Sequence, residues 1–186
     1  RGHGETHDAE CDRPTQNGVH RLIPRAAPLE APSGIVAVEV GAGNRIGDNN
    51  GMPSTMTAAP ITCVSSPLSA IDTDLLVVPW FEDEGLSAVD GLDAASGGEI
   101  ARALASKEFS GKTFELFATS LADGSWRARR LVLVGAGSSA DYRSELARQL
   151  ATAAGISVRT RRAERVGFVL RGRGEAAELA QAVAEG

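Results

Sequence analysis

The sequence predicts an α/β fold, a mixed or mostly parallel sheet with helices on both faces. Three observations carry this. From Ile61 onward, strand-like and helix-like pieces alternate. Two short apolar runs, in Asp74–Trp80 and Leu131–Val134, lack a polar face, as in strands covered on both sides. Hydrophobic residues make up 42% of the 186, a globular value.

The first sixty residues read differently. Six of the eight prolines lie at or before Pro60, and all aromatic residues lie at or after Trp80. A segment such as "NRIGDNNGMPSTMTAAP" buries little apolar surface against its ordering entropy, so residues 1–60 are expected to be a largely disordered tail. "GIVAVEV" (34–40) is its one extended-strand candidate. The chain opens on Arg1, and residues 1 to about 55 are expected to be an artefactual or natural extension. His3, Glu5, His7 and Cys11 form a metal-like cluster with two histidines at i, i+4. Gly2 and Gly4 flank His3 and nothing apolar would hold a helix there, so no metal site is assigned.

The elements follow in order. "ITCVSS" is a short strand, with Cys63 expected as a small buried residue. "DLLVVPW" is the first central strand. Glu82-Asp83-Glu84 is read as a solvated turn, because consecutive carboxylates point in different directions and do not close a metal cage. "LDAASGGEIARALASKEF" (92–109) is a helix weakened by Gly97 and Gly98. "KTFELFATS" (112–120) is a strand with Phe114, Leu116 and Ala118 on its apolar side. Lys112, beside Gly111, is read as a surface residue where that strand begins; Lys107 is the only other lysine. A turn at Ala122–Ser125 leads to the strand in "RARRLVLVGAG".

Ser138 and Asp141 then fit a capping box for a helix carrying Tyr142, Leu146 and Leu150, ending at Gly155. "ISVRTRRAERVGFVLRG" is expected as one strand or a hairpin, most buried over Val166–Leu170. "EAAELAQAVAEG" is a final helix, whose abrupt end is what a cut between domains would leave.

Several function classes are disfavoured. A net charge of −5 argues against a generally nucleic-acid-binding surface. No apolar run reaches the length of a membrane span. Two distant cysteines suggest no disulfide framework and fit a reducing, cytoplasmic setting. There is no histidine after His20, so a Ser/His/Asp arrangement is excluded from the organised region.

Two motifs invite a ligand. Gly135-Ala136-Gly137-Ser138-Ser139-Ala140 fits the dinucleotide pattern G-x-G-x-x-A after a strand. The acidic residue expected at the end of the following strand is missing from "ISVRTRR", so the motif is read as a tight strand-to-helix turn. Arg159, Arg161, Arg162, Arg165, Arg171 and Arg173 crowd one stretch, with Arg127, Arg129 and Arg130 nearby in sequence. Aromatic platforms are scarce there, so a solvated face or a protein contact is preferred to nucleic acid.

The order "DLLVVPWFEDEGLS", "LDAASGGEIARAL", "EFSGKTFELF", "ARRLVLVGAG", "ERVGFVL" and "LAQAVAEG" resembles the N-terminal domain of the leucyl (cytosol) aminopeptidase family over residues 61–186. Its most specific piece is Phe109-Ser110-Gly111-Lys112 followed by Glu115, after Asp93 and Gly97-Gly98. The resemblance implies a macro-domain-like fold that helps to build a hexamer. It also implies a partner, the catalytic domain of the same polypeptide, which holds two divalent metal ions (zinc or manganese) and releases residues such as leucine from peptide N-termini. None of the metal-binding or catalytic positions has a match here, so no catalytic, cofactor-binding or metal residue is assigned. The alternative is a free-standing macro-like module that binds ADP-ribose or a nucleic-acid phosphate.

Overall fold

The computed structural model describes residues 34–39, 61–172 and 174–186; of 34–39 only the backbone is described. The expectations for a disordered tail, for the His3–Cys11 cluster and for Arg173 lie outside those residues.

The elements are β1 (Gly34–Glu39), β2 (Ile61–Val64), β3 (Leu75–Phe81), α1 (Leu92–Ala95), α2 (Glu99–Ser106), β4 (Leu116–Ser120), β5 (Arg130–Gly137), α3 (Ser144–Arg161), β6 (Arg165–Leu170) and α4 (Ala176–Glu185). They build a six-stranded mixed sheet of order β2-β1-β6-β3-β5-β4. β6, β3 and β5 are parallel; β1, β2 and β4 are antiparallel to their neighbours. The strand candidate in "GIVAVEV" is thus a strand, and it lies between β2 and β6.

The two faces of β3 and β5 feed two separate cores. Leu76, Val78 and Trp80 pack with Leu131 and Leu133, under α1, α2, Phe109 and Trp126. Leu75, Val77 and Phe81 pack with Val132, Val134 and Ala136, under α3 and α4. Both strands are buried throughout their apolar stretches because helices cover both sides, which is why their sequences do not alternate. The fold is a three-layer α/β/α sandwich, as the alternation of elements predicts.

Local structure departs from the sequence reading in five places. The helix expected over 92–109 is two helices, α1 and α2, because Gly97 and Gly98 both take positive φ (72° and 82°) and break the ladder. Asp93 repairs the break, its Oδ1 accepting from the Ala101 amide at 2.9 Å.

The strand expected from Lys112 begins only at Leu116, and its apolar face is the other one. Phe117 is buried, whereas Phe114 and Leu116 are exposed. Phe114 stands at φ 68°, inside the turn that precedes the strand, so the alternation begins only after it.

Gly155 does not cap a helix. α3 runs through it to Arg161 and ends on Arg162 at φ 51°, so "ISVRTRR" is helix rather than strand. The β-branched Ile156, Val158 and Thr160 favour a strand, but burial of one face through Ala147, Leu150, Ala154 and Ser157 outweighs that preference. Nor is Ser138 the cap. Arg143 precedes α3, while Ser138 closes a turn of its own, its carbonyl accepting from the Asp141 amide and its hydroxyl from the Ala140 amide.

Finally, Cys63 is exposed. It lies on the edge strand β2.

Candidate functional site

In open α/β sheets, ligands favour the crevice at the carboxyl ends of the strands, where the following connections leave toward opposite faces. Here that point lies between β3 and β6. The chain leaves β3 for α1 and α2 on one face, and leaves β6 for α4 on the other. The two strands pair only over Leu75–Val77 and then part. Pro79 is tolerated in this central strand because it lies beyond that pairing.

Arg171 fills the gap. Its Nη1 donates to the Pro79 carbonyl at 2.8 Å and its Nη2 to Glu84 Oε2 at 2.7 Å, with a third contact to the Ala88 carbonyl. Its guanidinium lies 5.4 Å from the centre of the Phe81 ring. Phe81 in turn meets Tyr142 edge-on at 5.1 Å. Tyr142 is fully buried, and burial pushes its phenol up to about 12. The crevice is plugged by the protein's own arginine, with aromatic rings beneath it.

The glycine motif lies on the other side of β3, and it too is filled from within. A Cβ on Gly135 would overlap the Lys112 carbonyl oxygen and lie 2.8 Å from the Gly111 carbonyl carbon. On Gly137, at φ 66°, it would come 2.5 Å from Thr113 Oγ1. The motif's amides and carbonyls are taken as well. Gly135 donates to Glu115 and accepts from Phe114; Gly137 donates to Gly111 and accepts from Glu82. In a dinucleotide site, glycines let pyrophosphate approach the backbone. Here they let the Gly111–Glu115 turn approach it, which supports the reading as a tight turn.

That turn is held by an anion of its own. Glu115 Oε2 accepts from the Ser110 amide (2.8 Å), the Ser110 hydroxyl (2.9 Å) and the Lys112 amide (3.2 Å). Partial burial pushes this carboxyl up, but the three donors outweigh it and hold it below its usual value. The Phe109-Ser110-Gly111-Lys112…Glu115 motif is therefore a packing device. Glu115 supplies the charge, and Gly111 clears the Phe81–Glu82 backbone, which an added Cβ would meet at 3.0 Å.

The acidic triplet is not uniformly solvated. Glu82 is exposed, but Asp83 accepts from the Ser139 hydroxyl (2.7 Å) and amide (3.1 Å), and Glu84 pairs with Arg171. Hydrogen bonds from the Ser139 hydroxyl and amide hold the Asp83 carboxyl below the usual range. The sequence reading missed both partners, which lie 56 and 87 residues away. Among the described residues, no three His, Cys, Asp or Glu side chains are grouped to hold a metal ion. The two divalent ions implied by the resemblance thus find no fitting donor set there, and no step is derived through them.

The arginine stretch is divided by β6. Arg171 lies at the carboxyl end; Arg159, Arg161, Arg162 and Arg165 lie at the amino end, beside Arg127, Arg129 and Arg130. Arg165 pairs with Asp72 at 3.1 Å and Asp74 at 3.4 Å. No helix among the described residues is long and apolar enough to cross a membrane.

Comparison with known proteins points to one family. Residues 77–186 match the model of the cytosol aminopeptidase family, N-terminal domain. A probable cytosol aminopeptidase of Geobacter sp. (strain M21) is 43% identical over 93 residues, which is 49% of this chain and 18% of that protein. A solved tomato leucine aminopeptidase mutant aligns with 53% of this chain and 20% of its own, at 23% identity and a TM-score of 0.41. The chain thus spans about a fifth of the length of these relatives. With its family-specific stretch running from the middle of β3 to the last residue, the chain belongs to the cytosol aminopeptidase family and contributes that family's N-terminal domain.

Proposed function

We propose that this chain serves as the non-catalytic N-terminal domain of a cytoplasmic metallo-aminopeptidase, and that its work is packing against the catalytic domain and supporting a homo-oligomer. In this reading, the two divalent ions, zinc or manganese, and the release of residues such as leucine from peptides belong to the catalytic domain. The folded domain is taken as residues 61–186, with residues 1–60 an extension that lends it β1. The observation that carries the reading is the family match over residues 77–186, on a fold whose sheet crevice is filled by Arg171. Two further features support it. The carboxylates of Asp83, Glu84 and Glu115 tie loops together. Gly135 and Gly137 are spent on a backbone contact.

The test is a peptidase assay on the purified chain, using a chromogenic leucine amide with added manganese or zinc. The expected result is no release above the metal-only blank. Metal-dependent release that co-purifies with the chain would overturn the reading. The alternative, a macro-like module for ADP-ribose or nucleic-acid phosphate, needs a vacant strand-end crevice and gains no support from a plugged one.

A further inference from the structure

One groove of this domain gathers apolar side chains at the surface instead of burying them. It has a volume of about 580 Å³ and is lined by Phe114 from the turn before β4, by Thr152, Ala153, Ile156 and Arg159 of α3, and by Gly186. Phe114 is 48% exposed and Ile156 67%. Neither belongs to one of the two cores.

The fold of the domain gives no reason for either side chain. Phe114 stands at φ 68°, a conformation that a bulky residue adopts only under constraint. The constraint is local: its amide donates to the Gly135 carbonyl at 2.9 Å, and Glu115 beside it is held by Ser110 and the Lys112 amide. Glycine or asparagine suits such a backbone better, yet the position carries a half-exposed aromatic ring. Ile156 is β-branched, which disfavours a helix, and its exposure means that packing offsets little of that. Two large apolar side chains in one groove, each disfavoured locally and each exposed, are the signature of a contact surface.

The course of α4 indicates what covers it. This helix runs along α3 in the same direction. Glu178, near its start, accepts from the hydroxyl of Ser144, the first residue of α3, at 2.7 Å. Gly186, just past its end, is clasped further along α3, where an added Cβ would collide with the Arg148 carbonyl oxygen and lie 3.0 Å from the Ala151 methyl. At Gly186 the chain therefore heads along α3 toward Thr152 and Ile156, into the groove that it lines. The family match extends to Gly186, and the chain covers 18% of its Geobacter relative.

We infer that the segment following Gly186 in the full-length polypeptide lies in this groove and buries Phe114 and Ile156 under apolar side chains of its own. The inference rests on the proposed function, in which a catalytic domain follows this one. A continuation of the chain is favoured over a second copy because Gly186 is itself a wall of the groove. The covalent link holds such a segment there at an effective concentration that a separate molecule rarely matches.

The test is hydroxyl-radical footprinting, read by mass spectrometry, on the 186-residue chain and on the full-length polypeptide from the same reading frame. Phe114 and Ile156 are expected to oxidise readily in the 186-residue chain and at least about fivefold more slowly in the full-length protein, as side chains in a dry interface core do. A second measurement uses Phe114→Asn combined with Ile156→Glu, changes that suit a left-handed turn and an exposed helix position and so keep the domain folded. In the 186-residue chain this pair is expected to leave the melting temperature unchanged or raised. In the full-length protein it is expected to speed proteolytic cleavage just after Gly186 about tenfold or more, because the segment is released from its seat. Equal oxidation of the two side chains in both proteins, or unchanged cleavage in the variant, would overturn the inference and leave the proposed function standing. A reading frame that stops at Gly186 would overturn both. Protection already present in the 186-residue chain and lost on dilution would overturn the inference in favour of a second copy.

Discussion

Gly135 shows how a residue-scale feature decides between two functions. The same atoms that a phosphate would approach are approached instead by the Lys112 carbonyl. Gly135→Ala is therefore expected to lower stability by about 3 kcal/mol, because backbone rather than a flexible side chain must move. Urea denaturation at neutral pH measures it; a loss under about 1 kcal/mol would mean that the turn is not packed there. Glu115 makes the second residue-scale prediction. Its folded pKa is depressed below the usual 4.5, so it favours the folded state above that value. That contribution falls away as pH drops through the lower folded value. Glu115→Gln is expected to be less stable than the parent at neutral pH and to converge with it in acid. Denaturation curves from pH 7 downward would show the two converging, and a constant gap would contradict it. Both residues stand out in the sequence, but what they contact does not. The G-x-G-x-x-A pattern and the Ser110…Glu115 spacing are visible in a string, whereas the contact between the two segments is not.

At the scale of elements, the sequence was most legible where one physical demand acts alone. β3, β5 and β6 are plain because a strand buried on both faces admits few polar residues. α3 was misread where two demands compete. Gly155 resembles a C-terminal cap, and the β-branched and arginine residues after it resemble a strand, yet packing of Ala154 and Ser157 carries the helix onward. This gives a prediction with opposite signs for the two readings. In a helix interior with nothing within 4 Å of its added Cβ, Gly155→Ala is expected to raise stability by about 0.5–1 kcal/mol. As a left-handed cap, it would lower it. Thermal or urea melts separate the two outcomes. β4 failed for a different reason. An edge strand with one turn residue at positive φ shifts the phase of alternation, and no local signal marks Phe114 as that residue.

At the scale of the whole molecule, the carboxyl ends of the central strands are closed by the chain itself. Long-range partners close the carboxyl ends: Asp83 with Ser139, Glu84 with Arg171, Gly135 with Lys112. None is predictable from spacing, since each depends on the strand order, which sets β3 between β6 and β5 and β5 beside β4. Arg171→Ala is expected to cost about 2–3 kcal/mol, because Glu84 and the Pro79 carbonyl lose their half-buried donor. Guanidinium denaturation would register it, and an unchanged midpoint would argue that Arg171 is not a plug. The most direct measurement is an amide-resolved NMR titration of the 186-residue chain with ADP-ribose, following Gly135, Gly137, Ser139 and Arg171. A domain whose crevice is filled by its own side chains gives no saturable shift at these amides. Saturable shifts centred on them would mean that the crevice opens to a phosphate ligand, and that this domain does more than pack and assemble.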